Sequence, residues 1–262
     1  MANKGKYYES QFEEATIELL REAHWQYTLG DDIHRKYTDP LIEEDLRNFL
    51  AVQYKDKNLT TSEMDGIVAN LRNTGGQNDY YALRNAFLLY RDGYDFAYSD
   101  SRDNPFRMEY IDFEHPDHNI FRCVNQFVMG QGRENRRPDI LLFINGIPVC
   151  IIELKNPTKQ NATIRDAHTQ ICTRYMRDIP ALLKYCALAV ISDGAKNALG
   201  TTYTPFEFFY EWKKIENEDK AGKGLDTLRT LIRGALSPER ILEILRDYVY
   251  FPDPTKEDDT TE

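Results

Sequence analysis

The sequence predicts a layered α/β (α+β) protein with a mixed central sheet flanked by helices and a mainly helical insertion ahead of the sheet. Three observations carry this reading. Residues 138–154, PDILLFINGIPVCIIEL, contain two runs that are apolar at nearly every position, joined at Asn145-Gly146, the dipeptide that best supports a tight hairpin. Continuous rather than alternating hydrophobicity means that both faces are covered, which places this hairpin centrally, with helices on each side. A helical pattern and then the apolar run ALAVIS (187–192) come next, giving the order β-β-α-β.

Over residues 7–23, Phe12, Ala15, Leu19 and Leu20 recur at helical spacing with acids between them, an amphipathic helix with one face for the sheet. Between about 39 and 93 lie three helical segments: 42–54; 62–73, N-capped by Thr61 or Ser62 and closed before Gly75-Gly76; and 80–93, ending at Gly93. Residues 99–119, rich in Ser, Asp, Asn, Pro and His, show no period, and FRCVNQFVM (121–129) reads as a strand. Beyond the hairpin a helix spans about 162–177. The aromatic stretch FEFFY (206–210) reads as core, and Ser237, Pro238 and Glu239 open a last helix as N-cap, N1 and N2.

A chain of 262 residues, 41% hydrophobic, is long enough to bury a full core in one large domain or two small ones. The division expected is a domain over 1–212, with its sheet core at about 120–212, and a helical connector with an acidic tail over 213–262; no internal repeat is visible. No run approaches the roughly 20 apolar residues of a membrane span and the first residues lack the apolar stretch of a secretory signal, so a cytoplasmic protein without a membrane partner is expected. Cys123, Cys150, Cys172 and Cys186 are widely spaced, which argues against disulfides and structural zinc. His115 and His118 form an H-x-x-H in a Pro/Asp-rich loop, where exposure or loop hydrogen bonding explains them best. A net charge of -10 opposes holding nucleic acid by bulk electrostatics, although Arg133, Arg136 and Arg137 crowd just before Pro138-Asp139.

The chemistry concentrates on Asp139, Glu153 and Lys155. Glu153 and Lys155 stand at i, i+2 on one strand and so project from the same face. A strict two-residue Asn-Gly loop puts Asp139 opposite Ile152, on the wrong face; a three-residue loop or one bulge pairs it with Glu153, and that departure is the one expected here. An E-x-K triplet on a solvated strand is commonly just a surface ion pair worth about 0–1 kcal/mol. Inside an apolar strand, two carboxylates and an ammonium need a ligand or a use. A hard cation, Mg²⁺ or in its place Mn²⁺, takes oxygen ligands such as Asp139, Glu153 and the Leu154 carbonyl, and the reaction expected is phosphodiester hydrolysis, with Lys155 orienting the water or steadying the phosphorus. No G-x-S-x-G or Rossmann fingerprint gives acyl transfer or nicotinamide chemistry a foothold.

Through Pro138-Asp139, NGIPVCIIELK and the helix after it, the chain resembles the PD-(D/E)XK nuclease superfamily, and more closely the N-terminal nuclease region of the restriction (R) subunit of type I restriction-modification enzymes. YESQFEEATIELLREAHW resembles that family's first helix, with glutamates at Glu9 and Glu13, and ISDGAKNALGTTYTPFEFFYEWK its segment leading toward the motor. The resemblance implies a restriction-endonuclease-like core, a metal-dependent endonuclease acting on duplex DNA, and site choice made by the modification and specificity subunits. It also implies site roles for Glu13 and for a Gln and a Tyr at i, i+4, matched here by Gln170 and Tyr175. The spacing in this chain is one residue longer, which on a regular helix turns Tyr175 about 140° away, so either a π-bulge restores the alignment or one role has shifted. ATP serves the translocase of whole R subunits; no G-x-x-x-x-G-K-[ST] occurs here and GAKNALGTT (194–202) fails that pattern, so a nuclease-bearing piece without its motor or an ATP site is expected. A noncatalytic module docking DNA or partners, and a structure-specific or RNA-directed nuclease, are the competing readings.

Overall fold

The computed structural model describes residues 2–100, 103–130, 135–155, 163–215 and 224–253, with side chains described from Ser10 onward. Arg133, the Glu9 side chain and the acidic tail 256–262 lie outside the described residues. Six strands form one mixed sheet in the order β1-β4-β5-β6-β7-β8. They are β1 (Gln26–Leu29), β4 (Phe121–Asn125), β5 (Ile140–Ile144), β6 (Ile147–Leu154), β7 (Leu188–Ser192) and β8 (Asn197–Thr201), with β2 (Tyr94–Phe96) and β3 (Phe106–Met108) pairing separately. Neighbours β4/β5, β5/β6 and β7/β8 are antiparallel, and β1/β4 and β6/β7 are parallel. The hairpin β5–β6 is central, as its unbroken hydrophobicity requires: every residue of both strands is buried.

Helices cover both faces. One core joins α1 (Ala2–Glu22), α2 (Glu43–Gln53), α3 (Thr61–Asn73) and α4 (Asp79–Asp92) to the face bearing Ile140, Leu142, Ile144, Ile152 and Leu154. The other joins Leu141, Phe143 and Ile151 to α5 (Ile164–Thr169), a π-helical segment Gln170–Tyr175, α6 (Met176–Asp178) and α7 (Pro180–Leu183). At the C-terminal end, α8 (Leu225–Ala235) and α9 (Pro238–Glu243) bury Leu228, Leu231, Ile232, Ile241 and Leu242 in the first core. The Trp25 indole donates to the Leu236 carbonyl at 2.7 Å, fastening this segment to the start of β1.

Asn145 and Gly146 form the two-residue turn at φ 50° and 75°, both left-handed, the combination that matches strand twist. A Cβ at Gly146 would lie 2.1 Å from the Ile42 carbonyl oxygen, so the turn is glycine both for its φ and for its contact with the start of α2. The expected departure in register comes as a bulge rather than a longer loop. Phe143 pairs with Pro148 but Leu142 with Cys150, leaving Val149 extra. Val149 and Cys150 both enter the first core, and alternation resumes one residue out of step.

Several expectations differ from the structure. Thr60, not Thr61 or Ser62, caps α3, in a reciprocal pair with Glu63. The strand expected over 121–129 stops at Asn125 because Gln126 turns left-handed (φ 55°), and Met129 makes only an isolated bridge to Arg136. Short strands β2 and β3 flank and enter the stretch without a period, and β8 lies within residues 194–202, where no strand was expected. The stretch FEFFY is core only in part: Phe206 and Phe209 pack half-buried against the second core, whereas Phe208 and Tyr210 are 71% and 64% exposed, since the chain there runs along the outside of edge strand β8.

Candidate active site

The bulge at Val149 decides the site. Ile140 pairs with Ile152, and continuing that register brings Asp139 opposite Glu153. Glu153 also pairs with Ile191, so it projects to the face covered by α5 and the π segment. Asp139 is held there by the backbone: the Leu154 N–H donates to its Oδ2 at 2.7 Å. Lys155, anchored by its own N–H to the Ser192 carbonyl at 2.7 Å, sends Nζ to Glu153 Oε1 at 2.7 Å and to Gln170 Oε1 at 2.8 Å. Gln170 Nε2 donates to the Tyr175 hydroxyl at 2.7 Å, and that hydroxyl donates to Glu153 Oε2 at 3.2 Å. Lys155, Glu153, Gln170 and Tyr175 thus close a ring of hydrogen bonds around the Glu153 carboxyl.

The π segment is what closes the ring. Its i→i+5 bonding brings residues five apart to nearly one face, so Gln170 and Tyr175 meet despite the long spacing. Of the two alternatives left open by the sequence, the structure takes the π-bulge.

Electrostatically the site is under tension. Glu153 is 1% exposed, and burial, with the Asp139 charge close by, pushes its carboxyl up to about 8 against the pull of Lys155 and Tyr175. Burial and the neighbouring Glu153 charge also raise the Tyr175 hydroxyl. A buried carboxyl with a second carboxylate close enough to oppose its ionisation forms a donor set that fits a hard divalent cation. Asp139 and Glu153 would supply the charged oxygens of such a site.

The remaining expected residues fall nearby or apart. Glu13 bonds to none of these side chains; its Oε1 accepts from Asn125 Nδ2 at 2.7 Å and Gln126 Nε2 at 3.0 Å, at the end of β4 next to β5. Leu154 contributes its peptide, its side chain being buried in the opposite core. Arg136 pairs with Asp178 at 2.7 Å while Arg137 is exposed, its carbonyl 3.5 Å from the Tyr175 hydroxyl. Sequence reasoning missed Asn125 and Gln126, which looked like polar residues inside a strand. Away from the site, His118 Nδ1 and His115 Nδ1 lie 2.9 and 3.4 Å from Asp112 Oδ2, and Asp112 Oδ1 accepts the N–H groups of Glu114 and His115. These are loop hydrogen bonds of the kind expected, although the three ligand atoms lie within 4.8 Å of one another and could take a metal.

The family model described as "Type I restriction enzyme R protein N terminus" matches residues 6–208. The chain is 29% identical over 255 residues to the type I restriction enzyme HindI endonuclease subunit of Haemophilus influenzae, covering 93% of this chain and 24% of that protein. It is 28% identical over 261 residues to the putative type I restriction enzyme MjaIXP endonuclease subunit of Methanocaldococcus jannaschii, covering 90% and 25%. The chain therefore spans about a quarter of the length of these curated relatives.

Proposed function

Because this chain belongs to the family of type I restriction enzyme R protein N termini, we propose that the Asp139–Glu153–Lys155 centre is a nuclease site that hydrolyses phosphodiester bonds of duplex DNA. The observation that carries this reading is a fully buried Glu153 beside Asp139, with Lys155, Gln170 and Tyr175 bonded around it. Mg²⁺ or Mn²⁺, held by Asp139, Glu153 and the Leu154 carbonyl, would neutralise charge developing on the phosphodiester. Lys155 orients the attacking water or steadies the phosphorus, Gln170 fixes the Lys155 ammonium, and Tyr175 fixes Glu153. Glu13 completes the acidic end of the sheet from α1.

Site choice is left to the modification and specificity subunits, and the motor that needs ATP to other parts of an R subunit. That division fits a net charge of -10, which leaves little bulk attraction for DNA. The nuclease unit is read as residues 1–212 together with α8 and α9 of the segment 213–262, because those helices pack into the same core as α1.

Calorimetric titration of Mn²⁺ or Mg²⁺ into the parent, Asp139→Ala and Glu153→Ala chains, beside nicking of supercoiled plasmid, tests the assignment. The expected result is metal binding in the parent that is lost, with any nicking, in both variants. Absence of metal binding in the parent, or binding unchanged in the variants, would overturn it and favour a docking module.

A further inference from the structure

A second polar network sits at the same end of the sheet, on the face covered by α1. The Tyr27 hydroxyl donates to Asn125 Oδ1 at 3.0 Å, which leaves the amide nitrogen of Asn125 for Glu13. Asn125 and Gln126 both donate to Glu13 Oε1, and among the described residues no hydrogen bond is made to Oε2. The network joins α1 and β1, which are neighbours in sequence, to the distant end of β4.

Gln126 is held under strain. Its φ of 55° is left-handed, where glycine and asparagine are at home and a longer side chain is not. The corner is pressed from behind, since a Cβ on Gly30 would lie 2.6 Å from the Gln126 carbonyl oxygen and 2.8 Å from that of Asn125. A backbone that would relax with Gly or Asn carries Gln, so the reason for Gln lies in what its side chain does. Although β4 ends at Asn125, the isolated bridge Met129↔Arg136 keeps the register of Asn125↔Ile140, which sets Gln126 alongside Asp139.

We propose that Gln126, together with Asn125, is a positioning residue of the nuclease site. Their amides fix one oxygen of Glu13 so that the other stays available to the cation that Asp139 and Glu153 hold. The inference rests on the nuclease reading above and adds to it the residues that set Glu13 in place.

The backbone strain supplies a clean test. Gln126→Gly removes the amide and relaxes the left-handed corner, so this variant is expected to melt at the parent's temperature or higher. Its Mn²⁺ affinity by calorimetry should nevertheless fall by about 10- to 100-fold, the usual effect of losing a group that orients a metal ligand. Gln126→Asn, which keeps an amide, should recover part of the affinity, and the isosteric Glu13→Gln should lose it as Gln126→Gly does. A Gln126→Gly chain that melts lower but binds Mn²⁺ like the parent would make the residue purely structural and overturn the inference. Binding lost in Asp139→Ala but kept in Gln126→Gly and Glu13→Gln overturns this inference alone. A parent that binds no Mn²⁺ overturns the nuclease reading together with it.

Discussion

Glu153 places a functional requirement where stability alone would put a hydrophobe. Its carboxyl is 1% exposed and stands at about 8 in the folded chain against an ordinary 4.5. Between those two values the folded state keeps a proton that the unfolded chain releases. The stability it contributes is therefore full below about pH 4.5 and is lost as pH rises through about 8. In chelator-treated protein, the free energy of urea unfolding should fall by a few kcal/mol, on the order of 1.4 per pKa unit, across that window. Glu153→Gln should remove this decline, and parallel pH profiles for parent and variant would refute the assignment. Asp139, Glu153 and Lys155 were legible in the sequence because charge inside an unbroken apolar strand has no ordinary explanation. Asn125 and Gln126 were not, because a left-handed backbone and an amide-to-carboxylate contact over 113 residues leave no local signature.

Two one-residue irregularities build the site from regular elements. The bulge at Val149 moves Asp139 into register with Glu153, and the π segment Gln170–Tyr175 brings Tyr175 beneath Gln170. The sequence marked both places, one through a register conflict and the other through a spacing one residue too long, which left a π-bulge and a shifted role as alternatives. It did not announce the four-residue β1 or the edge strand β8, which are too short or too polar for a period and depend on the strands beside them. A π-bulge behaves as one residue inserted into an α-helix with both flanks kept in place. Deleting Cys172 should therefore restore a regular helix with Gln and Tyr at i, i+4 and keep the bond to Glu153. We expect that variant to melt within a few degrees of the parent and to bind Mn²⁺ comparably. Deleting His168, in the regular turn before the π segment, should instead rotate Ile164 and Ala167 off the sheet and lower the melting temperature sharply. Equal damage from both deletions would show that the π segment is not an insertion in this sense.

At the scale of the whole molecule, the helices after residue 212 belong to the core as much as the first helix does. Leu228, Leu231, Ile232, Leu236, Ile241, Leu242, Leu245, Val249 and Phe251 are each no more than 6% exposed and lie in the same cluster as Phe12, Leu20 and Trp25. The last of these helices was marked in the sequence by Ser237, Pro238 and Glu239 while α8 was not, and the surface that receives them was not legible, because a periodic apolar face does not name its partner. Each such side chain contributes roughly 1.5–3 kcal/mol on burial, so losing nine together is a gross loss at least comparable with the 5–15 kcal/mol by which a domain is usually stable. A chain ending at residue 212 would also expose the apolar faces of α1 and β8 that α8 covers. We expect residues 1–212 alone to lose the near-ultraviolet circular dichroism of the full chain and to melt without a cooperative transition, with Mn²⁺ binding weakened because the sheet end is no longer held. A cooperative transition in that shorter chain, with Mn²⁺ affinity equal to the parent's, would instead make 212 a true domain boundary and the later helices an accessory that the site does not need.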